Sequence, residues 1–150
     1  ENALKRAKQQ HKIDGIITGA VFSTYQRDRI EKLCDKLGLK IFSPLWHKPQ
    51  EQELLELLQQ EFKFVLSCVA AEGLDKSWLN TQITQKEIAK LKQLEERYGI
   101  NMAGEGGETE SLVLDCPLFR KRLIVDEVEI KEESKHRAWL IIKKAHLEEK

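Results

Sequence analysis

Long apolar runs are absent from this chain of 150 residues. Nothing approaches the roughly 20 apolar residues that a helix needs to cross a bilayer. No signal peptide stands at the start, so a cytoplasmic protein away from membranes is expected. A net charge is absent too: Lys+Arg and Asp+Glu balance at 25 each. No global field would steer the chain onto nucleic acid. Arg120-Lys121-Arg122 and Lys143-Lys144 are short basic runs that read as solvated faces. Cysteine is scarce. Cys34, Cys68 and Cys116 form no CxxC pair, and their odd number argues against a disulfide framework or a zinc ribbon. Cys34 and Cys68 fall on apolar positions and read as core. His11, His47, His136 and His146 show no metal-ligand spacing, and His47 has no obvious partner, so no metal site is assigned. There is no GxxxxGK[ST] loop, no GxGxxG and no Ser/His/Asp arrangement. Glu1 is not preceded by Met, and residues 1–10 read as the middle or end of a polar helix, so the chain is expected to be a fragment of something longer.

Against these absences, one stretch is unusually rich. Ala103-Gly104-Glu105-Gly106-Gly107-Glu108-Thr109-Glu110-Ser111 places three glycines within four residues and runs into the apolar Leu112-Val113-Leu114-Asp115. Glycine permits sharp turns and close approach of a ligand to the backbone. Three carboxylates would repel free phosphate, so a cation, a metal-bridged nucleotide or a donor-rich substrate suits the loop better. The bland alternative is a tight acidic turn before a strand, and spacing alone favours it.

The rest of the chain reads as alternating elements. Residues 1–11 are expected to be helical. Residues 13–20 are an apolar strand of the kind buried on both faces. Ser23 and Gln26 form a capping box, and Ile30, Leu33, Cys34 and Leu37 are the stripe of a helix that Gly38 ends. Residues 40–42 form a second strand. Strand, helix, strand implies a parallel βαβ unit. Pro49 starts a helix with Leu54, Leu55, Leu57 and Leu58 on its packing face. Residues 62–71 read as a central strand, Thr84 and Glu87 as another capping box, and Ile88, Leu91, Leu94 and Tyr98 as the stripe of a helix ended by Gly99. Residues 112–114 are a strand. Residues 123–130 and 137–143 are two strands of a hairpin joined by the polar residues 131–135. The fold class is α/β: part of a parallel sheet with helices over residues 1–46, then a smaller α+β domain over 47–150 ending in an antiparallel hairpin.

Three loops that follow strands are candidate sites. Ligands of parallel sheets bind beyond the carboxyl ends of the strands. There, Ser23 at a helix start could meet an anion, with Arg27 adding charge. Arg29, beside Asp28 and Glu31, reads as a surface pair. Trp46 after Pro44 is a pocket wall or a packing residue. Asp75 is a helix cap or a ligand acceptor, and capping is favoured.

Taken together, Gly19-Ala20, Ser23-x-Tyr25-Gln26-x-x-Arg29-x-Glu31, Leu37-Gly38-Leu39, Pro44-Leu45-Trp46, Gly73-Leu74-Asp75-x-x-Trp78-Leu79, the glycine–glutamate loop and Leu112-Val113-Leu114-Asp115 resemble the diphthine–ammonia ligase family of the PP-loop ATPase group. The resemblance runs from about Ile13 to Phe119. It implies a partial PP-loop nucleotide-binding domain and an enzyme that uses ATP, with Mg2+, to adenylate the carboxylate of diphthine on translation elongation factor two. Ammonia then displaces AMP to give diphthamide. Carried onto this chain, it implies nucleotide contacts from Ser23, Tyr25, Gln26 and Arg27, catalytic roles for Glu105 and Glu108, and substrate contacts from Trp46, Asp75, Trp78, Gly106, Gly107 and Glu110. One of the two tryptophans and at least one loop glutamate would hold the trimethylammonium group of diphthine. No membrane or nucleic acid is expected as a partner, and a homo-oligomer is left open. The family's Ser-Gly-Gly-x-Asp-Ser pyrophosphate loop does not occur in these residues, so the chain by itself is expected to be inactive. Asn80 stands where the family usually has Gly, Thr109 where it has Phe, and Ser111 where it has Thr. The alternatives are a PP-loop ATPase acting on another acceptor such as a tRNA base, or a non-catalytic binding or assembly module.

Overall fold

The computed structural model describes residues 1–150 apart from the side chain of Gln26. The chain divides into two compact units, Glu1–Lys48 and Pro49–Lys150.

The first unit begins with helix α1 (Asn2–His11), which Lys12 terminates in the left-handed conformation. Glu1 lies 2.7 Å from Lys5 and 3.0 Å from Lys36. The hydrogen bonds from these two ammonium groups, Lys5 first, pull its carboxyl down to about 2. Strand β1 (Gly15–Ile17), helix α2 (Thr24–Leu37) and strand β2 (Lys40–Phe42) follow as the βαβ unit, with β1 parallel to β2 in the register Ile16↔Ile41. The Ser23 carbonyl accepts from Arg27 N at 3.0 Å, the first turn of α2. The capping role of the Gln26 side chain lies outside the described residues. Cys34 of α2 is fully buried, and Leu39 N returns to its carbonyl at 2.9 Å across Gly38. The strand expected over 13–20 is shorter and less buried than its composition implies. Only three residues pair, and Ile17 and Phe42 stay 76% and 63% exposed. The reason is that β1 has a single strand neighbour, so its second edge and much of its apolar surface stay uncovered.

In the second unit, α3 (Gln50–Gln59), β3 (Lys63–Val69), a 3-10 turn (Lys76–Trp78), α4 (Gln85–Tyr98), β4 (Thr109–Asp115), β5 (Lys121–Ser134) and β6 (Arg137–Glu149) build an antiparallel sheet in the order β4-β3-β6-β5. The core gathers Phe64, Leu66 and Val69 of β3, Leu74, Ile83, Ile88 and Leu91, and Ala138 and Leu140 of β6. Thr84 caps α4: its hydroxyl accepts from Lys86 N and donates to the Glu87 carboxylate. That bond, reinforced by Lys90, holds the Glu87 carboxyl below its ordinary value. Gly99 closes the helix in the left-handed region.

The hairpin is longer than its composition implies. Residues 131–134, expected as a polar connection, continue β5 through Ser134. Charge here belongs to cross-strand pairs instead of a turn: Arg122 lies 2.9 Å from Glu148, and Lys143 lies 2.6 Å from Glu129. The strands expected over 62–71 and 112–114 are likewise shifted, to 63–69 and 109–115.

Asn80 adopts φ +56°, and its N–H donates to Leu66 O at 3.2 Å. A left-handed residue explains why glycine suits this position and why asparagine replaces it at little cost. Asn80→Gly is expected to melt in urea close to the parent chain, and Asn80→Val to lose about 1–2 kcal/mol. Equal midpoints for Val and Gly would contradict the observed backbone.

Candidate functional site

The glycine–glutamate loop is folded around one of its own carboxylates. Glu108 Oε1 accepts from Asn101 N at 3.1 Å, and its Oε2 from Gly106 N at 2.9 Å. Asn101 adds two more bonds: its carbonyl accepts from Gly104 N at 3.0 Å and its side-chain oxygen from Glu105 N at 3.0 Å. Gly107 N closes onto Gly104 O at 2.9 Å, and Ala70 N donates to Glu108 O at 2.7 Å, which ties the loop to the end of β3. The glycines are needed for this geometry. Gly104 sits at φ +77°, and a Cβ there would lie 2.5 Å from Thr109 Oγ1. A Cβ on Gly106 would lie 2.5 Å from Glu108 Oε1. Glu108 is therefore the staple of the loop, whereas Glu105 and Glu110 are exposed. Gly107, at φ +88°, has nothing near its Cβ direction.

Helix α3 supports the loop from one side, where Gln50 Oε1 accepts from Ala103 N at 3.0 Å. One turn on, Glu53 lines a cavity of about 220 Å³ between α3, the sheet and α4. Phe62, Phe64 and Met102 supply apolar wall. Thr109 and Ser111 bring hydroxyl-bearing residues from β4, and Ala103 and Thr109 are shared with the loop and its flank.

Asp75 behaves as a cap. It accepts from Ser77 N at 2.8 Å and Ser77 Oγ at 2.5 Å, and these bonds hold its carboxyl below the ordinary value. Trp78 packs half-buried against the core, with Lys90 Nζ 5.9 Å from its ring centroid. At the far end of β4, Lys150 Nζ lies 2.5 Å from Asp115 Oδ1 and keeps that carboxyl ionised to lower pH than usual.

In the first unit, the carboxyl ends of β1 and β2 carry a hydroxyl pair, Thr18 and Ser43, at 2.8 Å. An aromatic stack lies nearby in sequence. His47 stacks on Trp46 with centroids 4.6 Å apart and on Phe22 at 5.4 Å, so His47 has the partners its sequence context does not disclose. Arg27 lies 4.6 Å above the Trp46 ring and bonds Glu31 at 2.6 Å. Glu31 thus pairs with Arg27. Arg29, expected to make that surface pair, instead donates to the Tyr25 hydroxyl at 2.5 Å, because residues four apart share a helix face whereas 29 and 31 do not. Tyr25 itself is 68% exposed. Reasoning from sequence missed His47, Phe22, Asn101, Gln50 and Glu53. Only the i, i+3 spacing of Gln50 and Glu53, on one face of α3, could have signalled a pair. Among the described residues, no cluster of three or more His, Cys, Asp or Glu could hold a metal ion.

Comparison with known proteins agrees with this two-part organisation. The diphthamide synthase N-terminal domain family matches residues 1–41, and the diphthamide synthase C-terminal domain family matches residues 50–147. A diphthine–ammonia ligase from Mus musculus is 39% identical over 152 residues, covering 98% of this chain and 57% of that protein. The Danio rerio protein of the same name is 41% identical over 128 residues, covering 84% of the chain and 49% of its own length. The one from Schizosaccharomyces pombe is 41% identical over 132 residues, covering 87% of the chain but 22% of its own length. The chain thus spans about half, or less, of the relatives it matches. With one family model on each unit and identity of this order across nearly all of its residues, the chain belongs to the diphthamide synthase family.

Proposed function

We propose that this chain is the later part of an ATP-dependent amide ligase that converts diphthine on elongation factor two to diphthamide. The diphthine carboxylate oxygen attacks the α-phosphorus of ATP, and pyrophosphate leaves. Ammonia then attacks the acyl carbon, AMP leaves, and the amide sheds a proton to water. The observation that carries this reading is the glycine–glutamate loop, intact and bonded around Glu108, in a chain whose named relatives are diphthine–ammonia ligases.

Ser23, Tyr25, Gln26 and Arg27 are assigned to the nucleotide, with Trp46 held in place by Arg27 and His47. Glu105 and Glu110, which remain exposed, face substrate or a magnesium ion, with Gly106 and Gly107 letting the substrate approach the backbone. Carboxylate oxygens suit Mg2+, which keeps several waters and is commonly shared with nucleotide phosphates. The small number of acidic groups at the loop fits that mode better than an all-protein cage. Asp75 and Trp78 act from behind, shaping the surface near β3. The Ser-Gly-Gly-x-Asp-Ser pyrophosphate loop, absent from these residues, is assigned to the additional length of the relatives.

The test uses the protein carried to that full length, with ATP, Mg2+, ammonium and diphthine-bearing elongation factor two. Release of AMP that requires the diphthine substrate, with amide formation that requires ammonium, is the expected result. Release of ADP in place of AMP, or AMP release indifferent to diphthine, would overturn the assignment. The 150-residue chain alone is expected to release none.

A further inference from the structure

The β5–β6 hairpin carries a strand edge that the rest of the fold leaves open. Strand β6 pairs with β3 only through Cys68↔Trp139 and Val69↔Ala138. Beyond Trp139, among the described residues, the edge of β6 away from β5 has no strand partner. Residues 142–149 are all exposed there, and Leu147 is 64% exposed. The N–H and C=O groups of such an edge are a template for a further strand. Ala145 to Glu149 pair with Val125 to Lys121 in unbroken register, so most of that template is straight.

The edge reads Ile142-Lys143-Lys144-Ala145-His146-Leu147-Glu148-Glu149. Two lysines precede its centre and two glutamates follow it. An isologous contact between two copies brings the same strand against itself, antiparallel. Opposed residues must aim their backbone groups alike, so the two-fold axis passes through one residue position. Centred on His146, the pairing sets Lys143 against Glu149 of the second copy, Lys144 against Glu148, and Ala145 against Leu147. A centre at Leu147 would oppose Lys144 to Lys150, and a centre at Ala145 would oppose Lys143 to Leu147 and Ile142 to Glu148. Only the His146 register matches both lysines with both glutamates. Opposite charges across a strand pair stabilise a sheet, and like charges oppose it.

Strand β5 extends the same pattern. Lys121 lies 2.5 Å from Glu149, and Glu129 lies 2.6 Å from Lys143. In the His146 register these four side chains form a row of alternating sign across four strands. The neighbouring row brings Leu123 and Leu147 of one copy beside Ala145 and Val125 of the other, which covers the exposed leucine. The outer edge of β5 is unsuited to self-pairing, because residues 126–133 hold five carboxylates against Lys131 alone.

We propose that the outer edge of β6 is a self-association surface. A second copy of this chain adds its own β6 there, antiparallel about His146, to make a four-stranded β5-β6-β6-β5 sheet. The proposal does not rest on the ligase assignment.

Sedimentation equilibrium of the 150-residue chain tests it at concentrations up to about 200 μM, since an interface of this kind is small. A monomer–dimer equilibrium is expected. Raising NaCl from about 0.05 to 0.5 M should weaken it at least about threefold, because exposed ion pairs are screened. Cysteine cross-linking reads the register. Opposed residues of antiparallel strands have Cα atoms about 4.5–5.5 Å apart, within reach of a disulfide. His146→Cys faces itself and is expected to give a covalent dimer on oxidation with copper–phenanthroline. Lys144→Cys and Glu148→Cys are expected to cross-link when mixed and not singly. The native cysteines are buried and stay out of the reaction. A monomer at every concentration, or an association indifferent to salt, would overturn the proposal without needing any variant. So would a dimer that His146→Cys fails to cross-link, or cross-linking through Glu127→Cys on β5 in its place.

Discussion

Gly104→Ala is expected to destabilise the Pro49–Lys150 unit by about 2–3 kcal/mol, the sum of a left-handed backbone penalty and a steric one. The backbone part follows from φ +77°. The steric part follows because the new Cβ would meet Thr109 Oγ1 at 2.5 Å and the Thr109 carbonyl oxygen at 2.8 Å. The hydroxyl can rotate away, but the carbonyl belongs to the first residue of β4 and cannot move without unpairing Thr109 from Val69. Gly107→Ala separates the two contributions. Its φ is +88° but nothing lies within 4 Å of the added Cβ, so only the backbone part, about 1–2 kcal/mol, is expected. Gly106→Ala isolates a third effect, since its φ lies outside the left-handed region while its Cβ would displace the Glu108 carboxylate. Urea melts of the three variants should rank Gly104→Ala as the least stable. Equal losses at Gly104 and Gly107 would mean that Thr109 yields freely and that the loop is not locked to β4.

The elements of the first unit were legible because their signals are local. Ser23, the apolar stripe through Cys34 and Gly38 mark a helix between two apolar segments, and strand-helix-strand leaves parallel pairing as the economical arrangement. Strand length was not legible there, since it depends on how many neighbours a strand has. In the hairpin the misreading has a different cause. Lys131-Glu132-Glu133-Ser134-Lys135 has a turn-like composition, yet Lys131, Glu132 and Ser134 pair with Trp139, Ala138 and Arg137. Register alone reveals that, and register is a property of two segments at once.

The same distinction applies to the candidate site. Glu105, Glu108 and Glu110 are equivalent on composition. Only the return of the chain, which brings Asn101 N and Gly106 N to one carboxylate, sets Glu108 apart. Arg29 likewise does not make its pair with Glu31, because helix geometry gives Glu31 to Arg27 and Tyr25 to Arg29. The cavity was not legible at all, because Glu53 reads as one more acidic residue of a polar helix until Phe62 and Phe64 are placed opposite it.

The role of Glu108 yields the other large effect. Hydrogen bonds to a charged group contribute about 1.5–3 kcal/mol each, and Glu108 makes two to backbone N–H groups. Because the residue is only half-buried, water recovers part of that loss, and Glu108→Ala is expected to cost about 2–3 kcal/mol. Glu108→Gln keeps one oxygen acceptor but turns an amide NH2 towards the second N–H, so a loss of about half that size is expected. Glu105→Gln and Glu110→Gln, both at exposed positions, should leave the melt within about 0.5 kcal/mol of the parent. In the protein carried to its relatives' full length, and on the proposed ligase reading, these stability differences sort the carboxylates by role. If Glu108 only staples the loop, turnover and melting midpoint fall together in Glu108→Ala and recover together in Glu108→Gln. Glu105→Gln or Glu110→Gln then lowers turnover with the melt unchanged, as removal of a carboxylate that faces substrate or magnesium would. The measurement pairs AMP release with thermal melts on the same preparations. If Glu108→Gln melted like the parent yet lost turnover, the carboxylate would be acting on the reaction itself. Its two backbone bonds would then serve to aim it, and the staple assignment would fail.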